Sequence, residues 1–277
     1  MKQMSNNIKT KILAVDLDGT AVADDGYFGN RTMRAFRAAK EYGYLICFAS
    51  GRREVDMFKL GDSALISDYQ LLNNGGKIIE TASKKVLINC CPSQDDYKKL
   101  VDFCVNSCYA LHILSGMQWF ANYLDDRMYR YINDLGLSPN LYKTFSDVKH
   151  IDAEGFVAYS DGPYVIDFLN KSNLNLYAVE SEPMCFDIQS PGATKWQGLS
   201  SLCEILKIDH KDIIAVGNYT NDIDMIVNSG FGIAVADALD SVKEHADYIT
   251  QNDCNSNVIA EVVETFILQS SLEQAGF

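Results

Sequence analysis

The segment Asp16-Leu17-Asp18-Gly19-Thr20 sets two carboxylates either side of a leucine, at the end of the short apolar run Ile12–Val15. Carboxylates this close repel, and one resists ionising unless a cation lies between them. Ligands that are all oxygen favour a hard ion, and Mg2+ keeping several of its waters is the first candidate. A carboxylate is also a competent nucleophile toward phosphorus, forming an aspartyl-phosphate that water later cleaves. Gly19 lets the chain turn away sharply, and the Thr20 hydroxyl is available nearby. Alone, the pentapeptide would equally suit an ordinary turn between strand and helix, with an aspartate as helix cap.

Three further groups bear on that choice. Ser50, Gly51, Arg52 and Arg53 follow a second apolar run, Tyr44–Ala49. A small hydroxyl and the unpartnered N–H groups of a first helical turn make a natural phosphate cradle. Lys195 opens a helix after Ser190-Pro191-Gly192-Ala193-Thr194. Its ammonium would offset charge on phosphoryl oxygens and steady a nucleophile. After Gly217, the residues Asn218, Asn221, Asp222 and Asp224 crowd one turn and offer further metal or supporting ligands. Taken singly, each has a plainer reading: a serine cap with solvated arginines, a surface lysine, a turn capped by Asn and Asp. Four such groups, each at a strand end or helix start, would rarely coincide by accident.

These residues need a scaffold that gathers strand ends, as the carboxyl edge of an open parallel sheet does. Ile12–Val15 and Tyr44–Ala49 read as buried parallel strands. Between them, Asn30–Tyr42 reads as a helix, with Met33, Phe36 and Ala39 at helical spacing and Gly43 as a stop. A helix over Arg53–Leu60, a strand at Tyr69–Asn73 and a turn at Asn74-Gly75-Gly76 continue the alternation. From Lys77 to Pro183 the chain is richer in Tyr and Asn, and alternating runs such as 111–124 suit an antiparallel sheet with helices on one side. The strand–helix texture returns after Gly192, with helices at Lys195–Leu206, Asp222–Ser229 and Asp240–His245, strands at 212–218, 230–236 and 247–250, and a terminal helix. The expected class is α/β: a Rossmann-like parallel-sheet core from residues 1–80 and 188–277, interrupted by an α+β domain over 81–187.

Composition narrows the partners. Among 277 residues, 24 Lys and Arg face 37 Asp and Glu for a net charge of −13, which repels phosphate backbones and anionic lipid. Nucleic acid and membrane partners are therefore not expected. A 47% hydrophobic, 22% charged chain is that of a globular protein, not a disordered one. The N-terminal apolar run is too short for a signal peptide, and no segment reaches a membrane span, so a cytoplasmic location is expected. The 8 cysteines form no CxxC pair, and Cys104 with Cys108 has helical spacing but no matching second pair. They read as reduced thiols used as small apolar side chains.

The ordered motifs resemble the haloacid dehalogenase superfamily, and within it the Cof-type phosphatases, whose large α/β cap is inserted between the second and third motifs. The resemblance rests on Asp16–Thr20, Ala49–Arg53, Leu71–Ile79, Lys195, Gly217–Met225 and the run Gly232–Thr250. It implies that Asp16 is the nucleophile and a metal ligand. Asp18 would be the general acid/base, with its backbone carbonyl on Mg2+. Ser50, with serine where relatives usually have threonine, and Gly51 would bind phosphate. Lys195 would steady nucleophile and phosphate, Asn221 would stand near the phosphate and Asp222 near the metal.

Asn218 departs from the pattern, since the family normally has an acidic ligand there. Its amide oxygen can still coordinate, with one negative charge fewer, which implies weaker metal binding. The implied activity is Mg2+-dependent hydrolysis of small phosphomonoesters, sugar phosphates or similar metabolites, by a monomer or homodimer. The alternatives are a phosphomutase on the same core, or a weakly active or non-catalytic phosphosugar-binding protein. Substrate choice would fall to the inserted domain, with Trp119, Tyr123, Arg127 and Arg130 as candidates.

Overall fold

The computed structural model describes residues 10–124, 129, 132–133, 136–160, 162, 164–182 and 184–269. They form two compact units: residues up to Gly51, Met57–Ile88 and from Thr194 onward in the first, Arg52–Asp56 and Asn89–Ala193 in the second. The first unit opens with β1 (Lys11–Val15), β2 (Tyr44–Ala49), β3 (Tyr69–Leu72), β4 (Lys77–Glu80) and β5 (Lys85–Asn89). The second holds β6 (Ala110–Ser115), β7 (Gln118–Ala121), β8 (Asn140–Leu141), β9 (Gly155–Tyr159), β10 (Tyr177–Glu182) and β11 (Cys185–Gln189). The chain then returns for β12 (Ile213–Gly217), β13 (Phe231–Ala234) and β14 (Tyr248–Ile249).

The first sheet runs β14-β13-β12-β1-β2-β3-β4-β5. It is parallel from β14 to β3, and β4 turns back antiparallel on β3. The α/β class with a Rossmann-like core and an inserted α+β unit is thus borne out. β1 lies in the middle, and its apolar run is unbroken because both faces are covered. Leu13 and Val15 pack with Phe36 and Val262 on one side, while Ile12 and Ala14 pack with Leu199 and Leu202 on the other.

Helix Asn30–Glu41 buries Thr32, Ala35, Phe36 and Ala39 against this sheet, and Gly43 follows with φ 84°. Phe36 and Phe48 meet edge to face at 5.6 Å between ring centres, with Phe28 completing the cluster. The helix expected over Arg53–Leu60 is instead a 3-10 segment, Glu54–Ile66. Gly61 breaks it at φ 52°, ψ −143°, so no regular α-helical hydrogen bonding can run through it.

The second unit's sheet runs β10-β11-β9-β6-β7-β8 and is antiparallel except for the short β7–β8 pair. Helices Gln94–Asn106 and Tyr164–Ser172 share a core with this sheet, in which Tyr97, Leu100, Leu111, Ile113, Phe156 and Val165 are buried. Among the described residues no helix is long and apolar enough to cross a membrane. Cys47, Cys104, Cys203 and Cys254 are buried reduced thiols, and burial pushes Cys104 up to about 12, out of the reactive range.

Candidate active site

The parallel register of β1 on β12 pairs Val15 with Val216, so the two strands leave the sheet side by side at Asp16 and Gly217. The Asp16 N–H extends the ladder by one bond, donating to the Val216 carbonyl at 3.0 Å. Lys195 reaches the same point as the first residue of helix Lys195–Leu206, whose cap residue Thr194 accepts from the Gln197 N–H at 3.2 Å. Its Nζ donates to Asp16 Oδ1 and to Asp222 Oδ1, each at 2.6 Å. The lysine side chain is 1% exposed and that of Asp222 is fully buried. A buried ammonium persists only when paired, and here two carboxylates enclose it.

The trio carries one net negative charge. Burial raises the Asp16 carboxyl to about 6, with Lys195 pulling it down and Asp222 pushing it up. Burial alone would lower the lysine, but the two carboxylates more than reverse this and hold it above its ordinary value. Lys195 therefore stays charged, while Asp16 is the group that gains most from further positive charge.

Asp222 spends both oxygens on protein donors, since Oδ2 accepts from the N–H groups of Asn218 at 2.9 Å and Tyr219 at 3.0 Å. Gly217 is needed for this turn, because a Cβ there would lie 2.5 Å from the Asp222 carboxyl carbon. Asn218 folds its amide over Gly19, whose φ of 75° and lack of side chain leave the room. The Asn218 Oδ1 is buried without a hydrogen-bond partner. An orphaned buried oxygen is costly unless a cation or donor meets it, so the unpartnered Asn218 Oδ1 is chemically suited to a hard metal ion. Among the described residues no three His, Cys, Asp or Glu side chains gather as a metal site. Asp18 stands exposed beside this group, its backbone bridged to Val22. The buried Thr20 hydroxyl has no partner, and Asp224 is an exposed residue of helix Ile223–Asn228 that shares none of these contacts.

At the ends of β2 and β3, Ser50 is buried and its N–H donates to the Leu71 carbonyl at 2.9 Å. Its own carbonyl accepts from the Asn74 N–H at 3.0 Å, and Asn74 Oδ1 accepts from Asn221 Nδ2 at 2.9 Å. Ser50, Gly51 and Asn221 are thus joined through Asn74, a residue that the sequence places in a turn and within the run Leu71–Ile79 but to which it gives no role. The signal available was its position, directly after a strand and before a glycine pair.

In the second unit Trp119 is buried against His112, with ring centres 5.3 Å apart, and Tyr123 donates its hydroxyl to the Cys108 carbonyl at 3.3 Å. Arg127 and Arg130 lie outside the described residues.

Comparison with known proteins supplies the lineage. The 5-amino-6-(5-phospho-D-ribitylamino)uracil phosphatase of Bacillus subtilis is 24% identical over 269 residues, covering 97% of this chain and 100% of that one. The crystal structure of a haloacid dehalogenase-like hydrolase from Bacteroides thetaiotaomicron superposes with a TM-score of 0.81 at 22% identity, covering 92% of this chain and 99% of that one. A sugar phosphatase of haloacid dehalogenase subclass IIB gives 0.75 at 20% identity, over 93% and 99% of the two chains. The sequence profile of haloacid dehalogenase-like hydrolases matches residues 13–263, from β1 through the helix that follows β14, and the chain belongs to that family of hydrolases.

Proposed function

We propose that this hydrolase is a Mg2+-dependent phosphatase acting on small phosphomonoesters, sugar phosphates or similar metabolites, through an aspartyl-phosphate on Asp16. The observation that carries this reading is the buried Lys195 bridging Asp16 and Asp222 at the carboxyl end of the central strand. A carboxylate held there presents a nucleophile already paired with a positive charge, which suits attack on an anionic phosphoryl group. Asp16 would attack phosphorus as the ester P–O bond breaks, and exposed Asp18 would give its proton to the leaving oxygen. Asp18 would then take a proton from the water that attacks the phospho-aspartate, releasing inorganic phosphate and restoring Asp16.

Ser50, the Gly51 N–H and Asn221 are assigned to the phosphoryl oxygens. Asp16, the Asp18 carbonyl and Asn218 would hold the ion, with Asp222 behind them orienting Lys195 and the Asn218 backbone. When bound, Mg2+ would supply further positive charge to the phosphoryl group. Residues 1–80 and 188–277 would be the catalytic domain, and 81–187 the cap that selects the substrate. The sugar phosphatase and the phosphoribitylamino-uracil phosphatase among the relatives support a phosphorylated sugar or polyol as the substrate, and a cytoplasmic location with a monomeric or homodimeric state completes the proposal.

A generic aryl phosphate with Mg2+ tests the chemistry. Asp16→Asn should lose activity by about a thousandfold or more, and full activity in that variant would overturn the mechanism. A second reading, a weakly active or purely binding protein, is favoured by the neutral amide at 218. Phosphate binding without turnover at saturating Mg2+ would select it.

A further inference from the structure

We infer that Asn74 is a positioning residue for the phosphate-binding groups, fixing Asn221 through its side chain and the Ser50–Gly51 turn through its backbone. The inference rests on the assignment of Ser50, Gly51 and Asn221 to phosphate made above. Asn73 and Asn74 both have positive φ, 52° and 53°, and Gly75 follows at 91°. Two adjacent non-glycine residues in the left-handed region are strained, and such strain persists only where surrounding contacts over-determine it.

Those contacts come from three directions. The Asn74 N–H donates to the Ser50 carbonyl at 3.0 Å, and Asn74 Oδ1 accepts from Asn221 Nδ2 at 2.9 Å. A Cβ on Gly51 would stand 3.3 Å from that same Oδ1, so the side chain lies directly against the turn. A Cβ on Gly75 would collide with the carbonyl of Thr194, the residue before Lys195, and one on Gly198 would lie 2.8 Å from the Gly75 Cα. The loop is thus wedged against the helix that delivers Lys195. Asn221 is exposed, and its side-chain amide is held by the bond to Asn74, without which it would sample several rotamers. With its NH2 turned toward Asn74, one N–H is engaged and the other is free to meet a phosphoryl oxygen.

Asn74→Gly separates these roles, because glycine keeps the left-handed backbone and the N–H to Ser50 while removing the side-chain acceptor. Steady-state kinetics on an aryl phosphate and inhibition by inorganic phosphate would be measured for Asn74→Gly, Asn221→Ala and the double variant, with thermal midpoints as a check on folding. A pre-ordered neutral hydrogen bond is worth about three- to tenfold, so KM and the phosphate inhibition constant should rise by that factor in Asn74→Gly, with kcat changing less. In the double variant the penalties should not multiply, because Asn74 acts through Asn221. Multiplying penalties, or an unchanged phosphate constant in Asn74→Gly, would overturn the inference alone. A wild-type protein that neither turns over the ester nor binds phosphate would overturn the functional reading and this inference together.

Discussion

Asn218 is where the side-chain chemistry of this site is most exposed to test. Its Oδ1 is buried and unpartnered, and the position faces the glycine between Thr20 and Asp18. Replacing the amide by a carboxylate restores a full negative charge beside Asp16. Asn218→Asp should therefore bind Mg2+ about tenfold or more tightly by calorimetry, while the metal-free variant should be less stable because like charges now face each other. No gain in affinity would remove Asn218 from the metal ligands. Lys195 answers a complementary question. Its removal leaves Asp16 and Asp222 buried without a counter-charge, and loss of one partner from a buried ion pair costs about 3–5 kcal/mol. Lys195→Met should lower the urea unfolding free energy of the metal-free protein by that order. A shift under about 1 kcal/mol would mean that water already reaches the pair.

Among the elements, the helix Val258–Val263 shows how a single carboxylate can fasten a strand end and a loop. Glu261 accepts from the Tyr248 hydroxyl at 3.0 Å, the Gln251 N–H at 2.9 Å and the Asn252 N–H at 2.9 Å. Burial would raise its pKa, yet these donors together hold it below the ordinary glutamate value. A depressed folded pKa gives stability that is complete above the unfolded value and fades as the pH falls through the folded one. Glu261→Gln should thus cost about 1–2 kcal/mol at pH 7 and progressively less toward pH 3 in urea titrations. An equal cost at both pH values would show that shape, not charge, is what Glu261 contributes.

Features set by local sequence were legible before the structure, and those set by distant contacts were not. β1, β2 and helix Asn30–Glu41 were legible because unbroken apolar runs and a terminal glycine are local signals. The Lys195–Asp16–Asp222 cluster was legible as a set because each member sits at a strand end or helix start. The 3-10 segment Glu54–Ile66 was not, since its break depends on the backbone at Gly61. Nor was Asn74, whose partner Asn221 lies 147 residues away.

On the scale of the whole molecule, the net charge of −13 opposes the approach of any phosphorylated substrate. Raising the ionic strength from about 0.02 to 0.2 M shortens the Debye length from roughly 20 to 7 Å, and kcat/KM for an anionic ester should rise by up to a few fold. A falling kcat/KM would show that the field at the crevice is positive despite the overall sign. The central place of β1 has a different consequence, for synthesis. Its neighbour on one side, β2, follows at once, but on the other side Leu13 must wait for Ile214. While the ribosome adds the intervening roughly 200 residues, on the order of ten to forty seconds, this apolar central strand of the nascent chain keeps one hydrogen-bonding edge bare. Shelter during that interval, by a chaperone or by transient pairing, is a requirement this topology imposes on its own translation.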